Sequence, residues 1–232
     1  MIPARGGSKR IPHKNIINFM GKPLIAWTIE AAQDAGIFER ILVSTDDAKI
    51  AGVAREFGVE VPFLRDRNYD DQATVSEATI AALDQVEREL HEHYEIVVQL
   101  MASCPLRKSA DIFSAWHNFR RVETSFQISC FKFGWMNPWW AATLDSKGNP
   151  TPIFPEKIKS RSQDLPDLYC PSGAIWIADT EPLTRAGTFY GPGYIFHPLE
   201  WRAAIDIDDR QDLEMAQVLF KTEKACELLL QN

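Results

Sequence analysis

Arg40-Ile41-Leu42-Val43-Ser44, followed by Thr45-Asp46-Asp47, is the stretch that decides the fold. The run Ile-Leu-Val suits a strand buried on both faces. The acidic pair behind it opens a helix that runs to about Phe57, where Gly58 ends it. Outward from this step the alternation continues. Upstream, Leu24, Trp27, Thr28, Ala31 and Ala32 fall on one stripe, which predicts a helix over 24–35 closed by Gly36. Met1 to Pro3 reads as the tail of a strand and Ala4 to Asn15 as a loop. Downstream, strands are expected at 59–63, 96–101, 125–130, 173–178 and 203–208, with helices at 76–90 and 109–121. Asp209 caps a last helix that turns Leu213, Ala216 and Phe220 inward. Strands and helices in this order predict an α/β fold with a mostly parallel sheet and helices on both faces. Ligands of such sheets bind beyond the carboxyl ends of the strands, which places the loop after the first strand at the expected site.

At 232 residues the chain is expected to form one domain, 1–232. Its composition, 45% apolar and 25% charged, is that of a folded globular protein. The net charge of −7 argues against nucleic-acid or anionic-membrane binding. The longest uncharged stretch, Ala186 to Leu199, is broken by Gly and Pro and is too short for a span of about 20 apolar residues. Met1 to Arg10 has no apolar segment of the secretory kind, so a cytoplasmic protein is expected. Cys104, Cys130, Cys170 and Cys226 have no Cys-x-x-Cys spacing and read as reduced thiols.

The charge is unevenly placed. Arg5, Lys9, Arg10, Lys14 and Lys22 all precede the first acidic residue, Glu30. A basic patch on an acidic chain points to a focused anion site. Within it, Gly6-Gly7 lets the backbone curl and aim N–H groups at an anion, while Arg5, Lys9 and Lys14 add charge-assisted hydrogen bonds. Neither a Walker A loop nor Gly-x-Gly-x-x-Gly is present. A phosphate or triphosphate cradle fits; the base stays open. A second constellation is Ile205-Asp206-Ile207-Asp208. Extended backbone puts both carboxylates on one side, and such a pair suits Mg²⁺ bridging phosphates. Segment 131–166 differs again: it holds Trp135, Trp139 and Trp140 among several prolines and a turn at Ser146-Lys147-Gly148-Asn149. It is expected to be an extended hairpin arm covered by a partner subunit.

Ala4-Arg5-Gly6-Gly7-Ser8-Lys9, followed by Lys14-Asn15, resembles the N-terminal signature of the acylneuraminate cytidylyltransferases. Gly21-Lys22-Pro23-Leu24, Val43-Ser44-Thr45-Asp46, Leu64-Arg65, Pro105-Leu106-Arg107, Gln163-Asp164-Leu165-Pro166, Gly173-Ala174-Ile175 and the Asp206/Asp208 motif continue the resemblance in order along the chain. It implies a Rossmann-like fold of the nucleotide-diphospho-sugar transferase type with a dimerisation arm. It also implies an enzyme that transfers CMP from CTP to a nine-carbon keto-acid sugar, with Mg²⁺ as cofactor and a homodimer as the assembly. By position, Ala4, Arg5, Gly6, Gly7, Ser8, Lys9 and Lys14 are expected around the triphosphate, and Asn15, Arg65, Thr74 and Ser76 around cytosine and ribose. Asp206 and Asp208 are expected to hold the metal, and Arg5, Lys14 and Asp206 to carry catalysis. The sugar side is expected at Met101, Arg107, Arg161, Cys170 and Ser172.

That side departs from the family pattern. Met101-Ala102-Ser103-Cys104-Pro105-Leu106-Arg107 stands where sialic acid enzymes read Gln-Pro-Thr-Ser-Pro-Leu-Arg, and Cys170-Pro171-Ser172-Gly173 where they read Arg-Pro-Asn-Gly. Asp66 follows Arg65 where the family usually has proline. A less polar sugar of the pseudaminic or legionaminic kind is therefore expected. Two other readings stay open: a glycosyltransferase using Asp206-x-Asp208 as its metal motif, and a non-catalytic nucleotide-binding protein.

Overall fold

The computed structural model describes residues 1–65 and 74–230. β1 (Ile2–Pro3) leads through the loop and a short 3-10 turn at Lys14–Ile16 into a small antiparallel hairpin, β2 (Asn18–Phe19) and β3 (Lys22–Pro23), and then into α1 (Leu24–Ala35). β4 (Val43–Ser44) hands over to α2 (Ala48–Glu56), whose first turn is capped by the Asp47 carboxylate accepting from Lys49 N and Ile50 N. α3 (Val75–Leu90), β5 (Ile96–Gln99), α4 (Ser109–Arg121) and β6 (Phe126–Lys132) follow. The hairpin β7 (Ala142–Leu144) and β8 (Pro150–Pro152) comes next, then β9 (Tyr169–Asp179), α5 (Thr180–Ala186), β10 (Ile195–Leu199) and α6 (Arg210–Leu230).

The expectation of a mostly parallel sheet is corrected. The four-stranded sheet has the order β10-β6-β9-β5, and β9 runs antiparallel to both of its neighbours. β6 reaches β9 through the arm with no crossover helix between them, and a return without a crossover comes back antiparallel. Parallel pairing remains between β10 and β6 and, at the flank, between β1 and β4. Met1 donates its amino N–H to Val98 O (2.9 Å) and accepts from Leu100 N (3.0 Å), the slanted pattern of a parallel pair, so β1 lies beside β5.

Helices cover both faces. Ile2, Val43, Val98, Leu100 and Ile177 pack with Ile25 and Ile29 of α1, Ile50 and Ala54 of α2 and Ile112 and Phe119 of α4. On the other face Val97, Phe126, Ile128 and Ala178 meet Leu183 of α5, with Ile80 and Leu83 of α3 against them. A third cluster joins Ile11, Phe19 and Leu24 to Ile205, Ile207 and Ala216, so α6 seals the end of the molecule where the loop lies.

The segment expected as a strand at 203–208 is not one. Ala203, Ala204 and Ile205 donate to carbonyls three residues back, and Ile207 N donates to Ser103 O (2.9 Å). The alternation of Ile and Asp arises because Ile205 and Ile207 enter the α6 cluster while the acids face away from it. The strand expected at 59–63 reduces to one parallel bridge, Leu42 to Glu60. Conversely, α5 and β10 lie between residues 178 and 203, where the sequence pattern predicts no element. Pro198 is tolerated because β10 is an edge strand. Within the arm, β7 and β8 pair antiparallel around a turn held by the Asp145 carboxylate, which accepts from Lys147 N and Asn149 N.

Candidate active site

The carboxyl ends of β1, β4 and β5 surround a cleft of about 240 Å³. The loop supplies Arg5, Ser8, Lys9, Arg10, Ile11, Lys14 and Asn15 to its wall. Arg65, Thr74, Val75 and Ala78 line a second side, Met101, Ala102 and Ser103 a third, and Asp208 closes the ring. Five cationic side chains facing one carboxylate make the cleft a receptor for a polyanion.

The loop is held by long-range polar ties. Lys14 Nζ donates to Ile207 O (2.5 Å) and to Asp208 Oδ1 (3.0 Å), and Arg10 Nη2 reaches Asp208 Oδ2 at 2.9 Å. Asn15 Nδ2 donates to Arg5 O (2.9 Å). Gly6 N donates to Asp46 Oδ1 (2.8 Å), and a Cβ at Gly6 would stand 2.7 Å from Asp47 Oδ2, so only glycine fits here. Arg65 is braced on β4, donating from Nη2 to Ser44 O (2.8 Å) and from Nε to Ser44 Oγ (3.2 Å). Thr74 caps α3 in a reciprocal pairing with Glu77, which fixes the helix start at the cleft.

The two aspartates differ. Burial alone would raise the Asp208 carboxyl, but the Lys14 hydrogen bond and the charges of Lys14 and Arg10 outweigh it and hold the group below its usual value. Burial pushes the Asp206 carboxyl up, against a hydrogen bond with the Ser103 side chain and the charge of Lys14. Asp206 Oδ1 is buried and has no hydrogen-bond partner. An orphaned carboxylate oxygen two residues from a second carboxylate is a donor set that suits Mg²⁺, which takes one or two carboxylates and completes its shell with phosphates and water. Among the described residues no group of three or more His, Cys, Asp or Glu side chains could hold a metal ion, so these residues do not form a closed protein cage.

Of the residues expected at the site, Arg5, Ser8, Lys9, Lys14, Asn15, Arg65, Thr74, Met101 and Asp208 meet in the cleft. Ser76 lies outside its lining: it is buried, and its oxygen accepts from Phe189 N (3.2 Å). Arg107 and Ser172 are buried outside the cleft lining, Ser172 accepting from Ala174 N (3.1 Å). Cys170 sits in β9 opposite Phe131, and Arg161 is exposed on the arm in an ion pair with Asp164. Asp66 lies outside the described residues. Sequence reasoning missed the roles of Arg10, Asp46 and Ser103. Asp46 and Ser103 stand inside sequence motifs and Arg10 next to one, but only the folded chain shows what each grips.

A family model described as cytidylyltransferase matches residues 1–129. The chain belongs to the cytidylyltransferase family. It is 37% identical over 222 residues to the pseudaminic acid cytidylyltransferase of Campylobacter jejuni, covering 95% of each chain. It is 32% identical over 214 residues to the N-acylneuraminate cytidylyltransferase of Streptococcus agalactiae, covering 91% of this chain and 50% of that one. A solved structure of CMP:2-keto-3-deoxy-manno-octonic acid synthetase complexed with CTP shares the fold, with a TM-score of 0.69 at 17% identity over 96% of this chain and 97% of that one. The cytidylyltransferase is thus a CTP-dependent enzyme of α/β fold, as the loop motif implied. No helix among its described residues is long and apolar enough to cross a membrane.

Proposed function

We propose that this cytidylyltransferase joins CMP from CTP to the anomeric hydroxyl of a nonulosonic keto-acid sugar and releases pyrophosphate. The observation that carries the reading is the ring of Arg5, Lys9, Arg10, Lys14 and Arg65 around a cleft closed by Asp208, with Asp206 two residues away behind its lining. Arg5, Ser8, Lys9 and Lys14 hold the triphosphate and neutralise the charge that grows on the leaving pyrophosphate. Asn15, Arg65 and Thr74 hold the nucleoside. The sugar hydroxyl attacks the α-phosphorus in line; its oxygen bonds to phosphorus as the bond from phosphorus to the oxygen bridging the β-phosphate breaks, pyrophosphate leaves, and the hydroxyl proton is lost to solvent. Asp206 and Asp208 are the residues that would hold Mg²⁺, which would supply neutralisation of the phosphate charge. Lys14 keeps Asp208 in place from the loop side.

The sugar enters beside Met101, the one residue of the expected sugar side that lines the cleft. A thioether accepts hydrogen bonds weakly and pairs poorly with hydroxyls. This favours a deoxy, diacylamino sugar of the pseudaminic or legionaminic kind over N-acetylneuraminate, as does the identity to the Campylobacter enzyme. The arm covers a second copy of the chain in a homodimer, since Trp135 is 87% exposed and Trp140 40% within one chain.

Pyrophosphate release with CTP, UTP, ATP and GTP across a panel of keto-acid sugars tests this. CTP with a dideoxy nonulosonic acid should give the highest kcat/KM. A preference for N-acetylneuraminate overturns the sugar assignment, and turnover of a sugar nucleotide without pyrophosphate release overturns the reaction.

A further inference from the structure

Arg107 is 2% exposed and lies outside the cleft lining. Its Nη1 donates to Ala174 O (2.6 Å) and to Met101 O (3.3 Å), while Nε and Nη2 are buried with no hydrogen-bond partner. A buried guanidinium with two unmet nitrogens is costly, and an apolar side chain of similar size would fill the space without that cost. What an apolar side chain cannot do is bridge two carbonyls.

Those carbonyls belong to the parts that shape the metal end of the cleft. Met101 and Arg107 are the two ends of the turn after β5, so one hydrogen bond closes the turn on itself and the other fastens it to β9. Met101 N also donates to Gly173 O (3.3 Å), and Thr28 Oγ1 donates to Met101 O (3.2 Å). Inside the turn, Ser103 O accepts from Ile207 N (2.9 Å), which ties the turn to the backbone beside Asp206, and the Ser103 side chain lies close enough to draw the Asp206 carboxyl down. Gly173 completes the packing: a Cβ there would stand 2.8 Å from Met101 Cγ and 3.6 Å from Asp206 Oδ2. Asp206 therefore rests on a turn and a strand that meet at Arg107.

We propose that Arg107 is a positioning residue that acts without touching substrate: by bridging the Met101 and Ala174 carbonyls it sets the turn over residues 101–107, and through Ser103 it sets where the Asp206 carboxylate points. The inference rests on the proposed function only for the reaction that reads it out. Lysine is a poor replacement, because its ammonium is more strongly hydrated and sits on a flexible stem, without the planar group that fixes Nη1 between the two carbonyls.

The test is a Mn²⁺ titration of the wild type, Arg107→Lys, Arg107→Met and Ser103→Ala in the presence of CTP, read by water-proton relaxation, alongside KM for CTP and the Mg²⁺ concentration giving half-maximal rate. Loss of a group that orients a ligand lowers metal affinity by about 10-fold or more. All three variants should weaken Mn²⁺ binding and raise the Mg²⁺ requirement by that factor, Arg107→Met the most, with KM for CTP changed less than about twofold. Unchanged Mn²⁺ affinity in folded Arg107→Lys, or an effect confined to KM for CTP, overturns the inference. Where Arg107→Met fails to fold, Arg107→Lys decides alone. Failure of the wild type to transfer CMP to any sugar would sink the proposed function and leave the Mn²⁺ comparison able to judge Arg107.

Discussion

The loop over residues 4–15 and the arm over residues 131–166 are both poor in regular structure, yet they are held in opposite ways. The side-chain ties that anchor the loop reach far along the chain: Lys14 and Arg10 to Asp208, Lys14 to Ile207, Gly6 to Asp46. The ties within the arm are local. Asp145 closes its own turn, Arg161 pairs with Asp164, and Trp139 packs on Phe154 at 4.9 Å between ring centroids while donating to Pro166 O (2.9 Å). The loop is therefore finished by its own chain, and Lys14 and Arg10 are fixed before substrate arrives. The arm has a settled shape but leaves Trp135, Met136, Leu144 and Ile153 open. A preorganised charge site and an unfinished apolar surface should respond to mutation in different ways.

The sharpest difference lies at the carboxylates that close the loop's cleft. Asp206→Asn and Asp208→Asn should each lower CMP transfer by roughly 10²-fold or more, the scale for losing a stabiliser of transition-state charge. Asp206→Asn should leave the thermal midpoint unchanged or higher, since it removes a buried charge whose Oδ1 has no partner. Calorimetry and pyrophosphate release on one sample check both. Full activity in either variant, or activity in excess EDTA, would remove the two acids from the chemistry.

Lys14 ties the loop to those acids, so its loss should rank next. Lys14→Met deletes one hydrogen bond to a carbonyl and one to a carboxylate. At about 1.5–3 kcal/mol for a charge-assisted bond, kcat/KM for CTP should fall about 10- to 100-fold. A fall of less than threefold would mean that the loop is held by its remaining ties alone.

The same contrast explains what could be read from the sequence. The helices over Leu24–Ala35 and Ser109–Arg121 were legible to the residue because periodicity and stop signals agreed, with Gly36 at φ 63° ending the first. The sheet was not, because the direction of β9 depends on how the arm returns, and no residue of β9 encodes it. The segment 203–208 misled because Ile-Asp alternation needs only one buried side, which α6 provides as well as a sheet would. At the site, residue types with charge were legible, and most of them meet in the cleft. Their grips were not: Arg10 on Asp208 and Ser103 on Ile207 join positions more than a hundred residues apart. Arg107, read as a sugar contact, lies outside the cleft lining because a motif gives a residue's order in the chain but not its depth.

Gly6→Ala probes the loop without touching charge. The added Cβ would stand 2.7 Å from Asp47 Oδ2, so loop or helix start must shift. Crowding of this kind costs about 1–3 kcal/mol, which thermal unfolding would show as a lowered midpoint. KM for CTP should rise with it, because Gly6 anchors the loop to Asp46. An unchanged midpoint together with an unchanged KM would show that the loop tolerates displacement and is not preorganised.

The smallest effect on nucleotide chemistry is expected from the arm, and it separates the two regions most cleanly. Trp135 is 87% exposed and Trp140 40%, so changing both to Ser removes little packing from the single chain. Substitutions at such positions usually stay within about 0.5 kcal/mol of the parent stability. If a second copy covers them, the same two changes delete the aromatic anchors of that interface, and anchors of this type carry most of an interface's energy. The double variant should sediment as a monomer where the wild type sediments as a dimer, with KM for CTP within about twofold because no arm residue lines the cleft. Wild-type protein that is monomeric at micromolar concentration would reject the covered arm. A dimer that survives both changes would move the interface to another face of the molecule.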